Sequence, residues 1–191
     1  MTTLFNSELL CDKDNSILVI VDIQERLSSA IPEKILSRVT KKTATLSQAA
    51  NLLDIPVLIS EQYPKGLGPT LTEVSEYLPN SSTFIEKTCF SCAQNQEFLT
   101  KIKASNKKQI ILCGMEAHIC VTQTALELQQ LNYQVYIASD AICSRKKSNY
   151  KNALQRLQQA NCIISNSESI CFEWLTDATH PQFKAISKLI K

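Results

Sequence analysis

Apolar residues along this chain follow two rhythms. Short runs rich in β-branched and apolar residues recur at 16–21, 56–60, 83–87, 109–113, 134–138 and 162–165. Between them, apolar positions return every three or four residues. The first rhythm predicts strands and the second predicts helices laid against them. Ser16-Ile17-Leu18-Val19-Ile20-Val21 has no polar alternation, as expected of a parallel strand buried on both faces. After Pro32, the residues Ile35, Val39, Leu46, Ala50 and Leu53 keep one helical face apolar. Ala117, Val121, Thr124, Ala125, Leu128 and Leu131 do the same, and Asn132 suits the end of that helix. Helices are also expected at 94–104, from about Tyr150 to Ala160, and at 181–190. Strand and helix in alternation predict an α/β sheet with helices on both faces.

The stretch 61–82 breaks the rhythm with Pro64, Gly66, Gly68, Pro69 and Pro79. One short helix is expected there, at 71–78. A connection this long inside a compact domain is more often a lid or binding loop than filler.

At 191 residues the chain is expected to form one domain, spanning 1–191. A net charge of +2 gives no electrostatic case for nucleic acid or a membrane surface. No apolar run approaches the ~18 residues of a membrane span. Residues 1–15 carry Glu8, Asp12 and Asp14 and resemble neither a secretory signal nor a transit peptide. A cytoplasmic protein is therefore expected, with its eight cysteines reduced. Cys113, Cys143 and Cys162 sit within or beside apolar runs, where thiols behave as small hydrophobes. Cys89-Phe90-Ser91-Cys92 has C-x-x-C spacing, but a zinc site needs two more ligands. The chain has only His118 and His180 and no second C-x-x-C, so no metal is expected. No G-x-G-x-x-G or P-loop occurs, and no cofactor is expected.

Chemistry concentrates where strands end, because open α/β sheets bind ligands beyond their carboxyl edges. Asp22 follows the first run, Lys87 closes the third, and Cys120 lies just after the fourth, at the start of a helix. A thiol, a proton acceptor and a cation are the parts of a nucleophilic site. Helix dipole and lysine are both expected to favour the thiolate. Asp22 would take and return the proton, and the first helical amides would hold an oxyanion. Gln24 is a further candidate to bind substrate or simply to start a helix, and Tyr63 and Phe90 are candidates to wall a substrate pocket or to serve packing or a subunit interface. His118 reads as a polar surface or cap residue, and Trp174 as a packing anchor.

Val21-Asp22-Ile23-Gln24, Glu86-Lys87-Thr88 and Gly114-Met115-Glu116-Ala117-His118-Ile119-Cys120-Val121 together resemble the isochorismatase-like cysteine hydrolases. The likeness spans about residues 15–175. Glu61-Gln62-Tyr63-Pro64-Lys65-Gly66-Leu67-Gly68 is most similar to the YcaC-related, isochorismatase domain-containing subgroup. Asp140-Ala141 with Ser144-Arg145 is similar to another stretch of that family, read as structural. The resemblance implies a three-layer α/β/α fold with a six-stranded parallel sheet of order 3-2-1-4-5-6. It implies an Asp22-Lys87-Cys120 triad and a cis peptide between Met115 and Glu116. That bond would turn the amides of Glu116 and Cys120 into the oxyanion hole. It also implies a homo-oligomer acting on a small-molecule substrate.

Nicotinamidases of this family bind a metal through an Asp and two His near the second strand, and here no histidine precedes His118. Isochorismatase itself lacks the nucleophilic cysteine. The resemblance thus points to the amidase-type branch, which attacks a C–N bond and passes through a thioester. Two other readings stay open: a redox or oxidant-responsive thiol protein using Cys120 or the Cys89/Cys92 pair, and a catalytically silent scaffold.

Overall fold

The computed structural model describes residues 9–191. Residues 1–8, part of the stretch expected not to be a leader, lie outside the described residues. Six strands form one parallel sheet: β1 (Ser16–Val21), β2 (Val57–Gln62), β3 (Thr83–Lys87), β4 (Gln109–Met115), β5 (Gln134–Cys143) and β6 (Ile163–Ser165). Their order across the sheet is β3-β2-β1-β4-β5-β6. The chain starts in the middle, winds to one edge, then returns and winds to the other. The switch point falls between β1 and β4.

The six longer helices are α1 (Glu33–Leu52), α2 (Gln96–Ala104), α3 (Thr122–Gln130), α4 (Lys147–Gln159), α5 (Ser167–Leu175) and α6 (Phe183–Ile190). They divide into two layers, because successive residues of a strand point to opposite faces. Leu18 and Ile20 of β1 pack into a cluster with Val39, Leu46, Ala49 and Ala50 of α1 and with Ile170 and Trp174 of α5. Ile17, Val19 and Val21 pack into the other, with Phe98 and Ile102 of α2, Ala125 and Leu128 of α3, and Leu157 of α4. Both faces are covered, which is why the strand carries no polar alternation. Each fully buried Leu or Ile contributes roughly 1.5–3 kcal/mol. The architecture is the three-layer α/β/α sandwich that the resemblance implied.

The structure departs from the sequence reading in four places. First, β5 runs five residues past Ala138, through the polar pair Ser139-Asp140. The register against β4 shifts between Leu112 and Gly114, and the two polar side chains turn to the edge of the sheet. Ser139 Oγ donates to the Ser165 carbonyl at 2.7 Å, and Asp140 accepts from the Ser167 amide and hydroxyl. Second, α5 was not anticipated. Asn166 caps it, accepting from the Ser169 amide at 2.9 Å, and Trp174 anchors it through a bond from Nε1 to Ser16 Oγ at 3.0 Å. Third, Ala117–Val121 forms a π-helical turn before α3 rather than the first turn of an α-helix. Fourth, residues 61–82 hold two one-turn helices, Pro64–Leu67 and Thr72–Ser75.

Among the described residues, no helix is long and apolar enough to cross a membrane. Nor, among the described residues, is any group of three or more His, Cys, Asp or Glu placed to hold a metal ion. All eight cysteines are free thiols.

Candidate active site

The register of the three central strands sets the site. Val21 pairs with Ser60 of β2 on one side and Gly114 of β4 on the other. The chain then turns sharply at Asp22, whose φ of 51° is left-handed. Aspartate tolerates that conformation better than most residues. The Asp22 amide donates to the Ser60 carbonyl at 3.1 Å, and the Gln24 amide donates to the Asp22 carbonyl at 2.9 Å. Gly114 makes the close approach possible. A Cβ there would lie 2.0 Å from the Val21 carbonyl oxygen, at a φ of 118°. The switch point thus narrows where β4 passes to the turn bearing Cys120. The peptide between Met115 and Glu116 is cis.

Lys87 starts two strands away, on edge strand β3. Neighbouring strands lie roughly 4.8 Å apart, so its side chain must reach across β2 towards β1. It does, and Nζ sits 2.7 Å from Asp22 Oδ2 with both side chains fully enclosed. Four oxygens surround the ammonium: Asp22 Oδ2 and Gln62 Oε1, both at 2.7 Å, and the carbonyls of Phe90 and Cys89 at 3.2 and 3.3 Å. Asp22 Oδ1 accepts from Ser60 Oγ at 2.6 Å. The Cys120 thiol completes the group, close enough for the Asp22 carboxylate and the Lys87 ammonium both to act on its charge. Asp22, Lys87 and Cys120 therefore meet at one point.

The charge state differs from the expected thiolate. Burial raises the Cys120 pKa far above its ordinary value, and the Asp22 carboxylate raises it further. Lys87 pulls it down, but not enough. The thiol rests protonated at neutral pH. The helix dipole does not reverse this, because regular α-helix begins only at Thr122, past the sulfur. Burial also raises Asp22, opposed by the Lys87 charge and by hydrogen bonds from Lys87, Ser60 and Cys120. For Lys87, burial disfavours the ammonium, yet Asp22, Cys92 and Cys120 together outweigh it and the pKa is raised. Lys87 stays a cation.

The softer candidates fare unevenly. Gln24, a candidate either to contact substrate or to start a helix, does precede the one-turn helix Glu25–Ser28. It is fully buried, and its amide is engaged with backbone: Nε2 donates to the carbonyls of Gln62 and Gly68, and Oε1 accepts from the Gln62 amide. Tyr63 and Phe90 are both about half exposed. Tyr63 has a left-handed φ of 38° and lines a surface cavity of about 570 Å³ together with Lys65, Glu86 and Cys89. That cavity borders Lys87 from the β3 side and does not include Asp22 or Cys120. The Glu116 side chain turns away to the loop after β5. It accepts from the Arg145 amide at 2.9 Å and pairs with the Arg145 guanidinium at 3.3 Å. His118 lies between Ser144 Oγ at 2.9 Å and Asn149 Nδ2 at 3.0 Å. With the Asn149 amide donating to Nε2, Nδ1 is the ring's donor to Ser144.

Three residues at the site were not anticipated. Ser60 and Gln62 end β2 and hold Asp22 and Lys87. Their signal lay in Ser60-Glu61-Gln62, a polar close to an otherwise apolar strand. Cys92 had been weighed only as half of a C-x-x-C pair. It is fully buried, its amide donates to Thr124 Oγ1 at 2.9 Å, and its thiol is pushed up to about 11 by burial and by Asp22.

Comparison with known proteins places this geometry. The mouse isochorismatase domain-containing protein 2A is 36% identical over 180 residues, covering 93% of this chain and 84% of that protein. A solved structure of a MAR1 ribonuclease from Caenorhabditis elegans is similar at 32% identity and a TM-score of 0.88, covering 95% of this chain and 92% of that one. The Escherichia coli YcaC structure, described as an octameric hydrolase of unknown specificity, shares the fold at 21% identity and a TM-score of 0.89, covering 97% and 91%. The family model for the isochorismatase domain matches residues 16–169. That span begins with β1 and runs past β6, taking in every strand that supplies the site, and the chain accordingly belongs to the isochorismatase family of hydrolase-fold proteins.

Proposed function

We propose that this protein is a cysteine hydrolase that cleaves an amide or related C–N bond of a small molecule. One observation carries the proposal: a single buried carboxylate, Asp22, lies in reach of the Cys120 thiol and 2.7 Å from the Lys87 ammonium. A proton acceptor beside a thiol and paired with a fixed cation suits nucleophilic catalysis.

The resting thiol dictates how the first step runs. Asp22 takes the thiol proton as sulfur attacks the carbonyl carbon, so no free thiolate need accumulate. The carbonyl π electrons move to oxygen, where the amides of Glu116 and Cys120 receive the negative charge. Such a donor is typically worth about 3 kcal/mol in the transition state. The C–N bond then breaks, and the departing nitrogen takes the proton from Asp22. Water, deprotonated by Asp22, attacks the thioester. The acid leaves and the thiol regains its proton. Lys87 remains an ammonium throughout and keeps the negative charge on Asp22 tolerable in a site shielded from bulk solvent.

Enclosure supports a small substrate. Asp22, Lys87 and Cys120 are 0, 3 and 5% exposed. The C. elegans relative is named a ribonuclease, but atoms this enclosed favour a compact molecule over a polynucleotide strand. We also read the protein as cytoplasmic, supported by its eight free thiols, as one domain spanning 1–191, and as self-associating. Light scattering of the purified chain measures the last.

The test is release of ammonia or amine from a panel of small amides, with mass spectrometry of Cys120 for an acyl adduct. Activity that vanishes in Cys120→Ala, together with an adduct on Cys120 in the parent, supports the assignment. Turnover that survives Cys120→Ala, or cleavage of RNA in place of any amide, overturns it.

A further inference from the structure

We propose that Gln62 is a positioning residue, whose neutral side-chain oxygen holds the Lys87 ammonium against Asp22 beside Cys120. This rests on the assignment of Cys120 as the nucleophile.

Of the four oxygens around Lys87 Nζ, two are near and two are far. The near pair is Asp22 Oδ2 and Gln62 Oε1, both at 2.7 Å. Gln62 thus contributes as close a contact as the carboxylate itself. Its amide cannot turn freely, because Nε2 donates to the Thr88 carbonyl at 2.6 Å. That bond fixes Oε1 toward the ammonium. The backbone of Gln62 is held as well. Gln24 Oε1 accepts from its amide at 2.8 Å, and Gln24 Nε2 donates to its carbonyl at 3.1 Å. The side chain of Gln24 thereby does what a neighbouring strand would do. Register adds a third constraint, since Gln62 pairs directly with Lys87 across β2 and β3.

Neutrality matters here. Lys87 and Asp22 balance each other in an enclosed space, with the thiols of Cys120 and Cys92 facing the same pair. A carboxylate at position 62 would give the ammonium two anions to serve. The group would then carry a net negative charge, and the Cys120 proton would be harder to remove. An apolar residue would leave one ammonium hydrogen without its near partner and let the cation drift from Asp22. An amide satisfies the hydrogen bond and adds no charge.

The test compares Gln62→Met, close in shape but without the acceptor, with Gln62→Glu. Iodoacetamide is the probe. The rate of Cys120 labelling in the full chain is followed by peptide mass spectrometry from pH 6 to 10. Circular dichroism and thermal melts verify the fold. Both variants are expected to label Cys120 about tenfold more slowly than the parent at pH 8, with the Gln62→Glu profile displaced to higher pH by roughly one unit. In a Lys87→Met background, adding Gln62→Met is expected to change nothing further. Folded variants whose profiles superimpose on the parent overturn the inference, as does a full additional loss in the Lys87→Met background. Amide turnover by the parent that survives Cys120→Ala overturns the assignment of the nucleophile instead.

Discussion

Two polar clusters flank the turn that carries Cys120, and they are built on opposite terms. On the β1–β3 side, Asp22 and Lys87 form an ion pair with no side-chain exposure. On the β5 side, Glu116 pairs with Arg145, whose side chain is 52% exposed. The distances differ by less than an ångström, 2.7 against 3.3 Å, yet the energetics diverge. A buried charge that loses its partner costs about 3–5 kcal/mol, because water cannot replace the partner. An exposed pair is worth about 0–1 kcal/mol, because water can. The inner cluster is therefore all or nothing, and the outer one can be altered piecemeal.

The largest expected effect breaks the inner pair. Lys87→Met leaves Asp22 buried and unpartnered, and urea unfolding at pH 7 is expected to show a loss of about 3–5 kcal/mol. The pH dependence has a definite sign. Burial alone holds the Asp22 pKa above its unfolded value of ~3.9, so the variant is weakest where an unfolded aspartate would ionise. The deficit should shrink as pH falls towards 4. An undiminished deficit at pH 4 would mean that lost packing, not charge, caused it.

Asp22→Asn separates proton transfer from thiol ionisation. Turnover is expected to fall by roughly 10²–10⁴-fold, the usual worth of a general base. Cys120 alkylation at pH 8 should instead speed up, because the carboxylate that raises the thiol pKa is gone while Lys87 remains. Slower alkylation would argue that Asp22 stabilises a resting thiolate.

In the parent, Cys120 alkylation at pH 8.5 should be at least about tenfold slower than in the urea-unfolded chain, whose thiols titrate near 8.5. Cys89, the one cysteine that is not buried, should be labelled first. The raised thiol also ties stability to pH. Its contribution is full below about 8.5 and is lost as pH climbs towards the native value, so denaturant midpoints should decline above about pH 9. At the small end, Arg145→Ala is expected to change stability by about 1 kcal/mol or less in urea titrations.

How much of this could be read in advance differs by residue. Leu18, Ile20 and their neighbours announced β1 because a strand covered on both faces has no room for polar alternation. Asp22 and Cys120 could be paired once the strand order was supplied, since β1 and β4 are neighbours. Lys87 could not, because strand order puts it two strands away and only the length of its side chain, threaded past the end of β2, brings it in. The two readings of Gln24, substrate contact or helix start, stayed open for a related reason. Its amide, at the edge of a loop, finds three backbone partners that become neighbours only after 61–70 folds back, with Glu61 accepting from Thr70 at 2.7 Å. The same bonds show 61–70 as a tied wall on the site's edge rather than a free lid.

The sequence by itself determined the alternation of strands and helices and marked Asp22, Lys87 and Cys120 as strand-end candidates, because periodicity and strand-end chemistry are local and repeat along the chain. The strand order and its switch point came from the family resemblance. Only the tertiary structure decided the charge state of the sulfur and which neutral groups hold the ions in place. Both depend on how completely water is excluded and on hydrogen bonds between residues tens of positions apart, and neither leaves a mark in the spacing of residues.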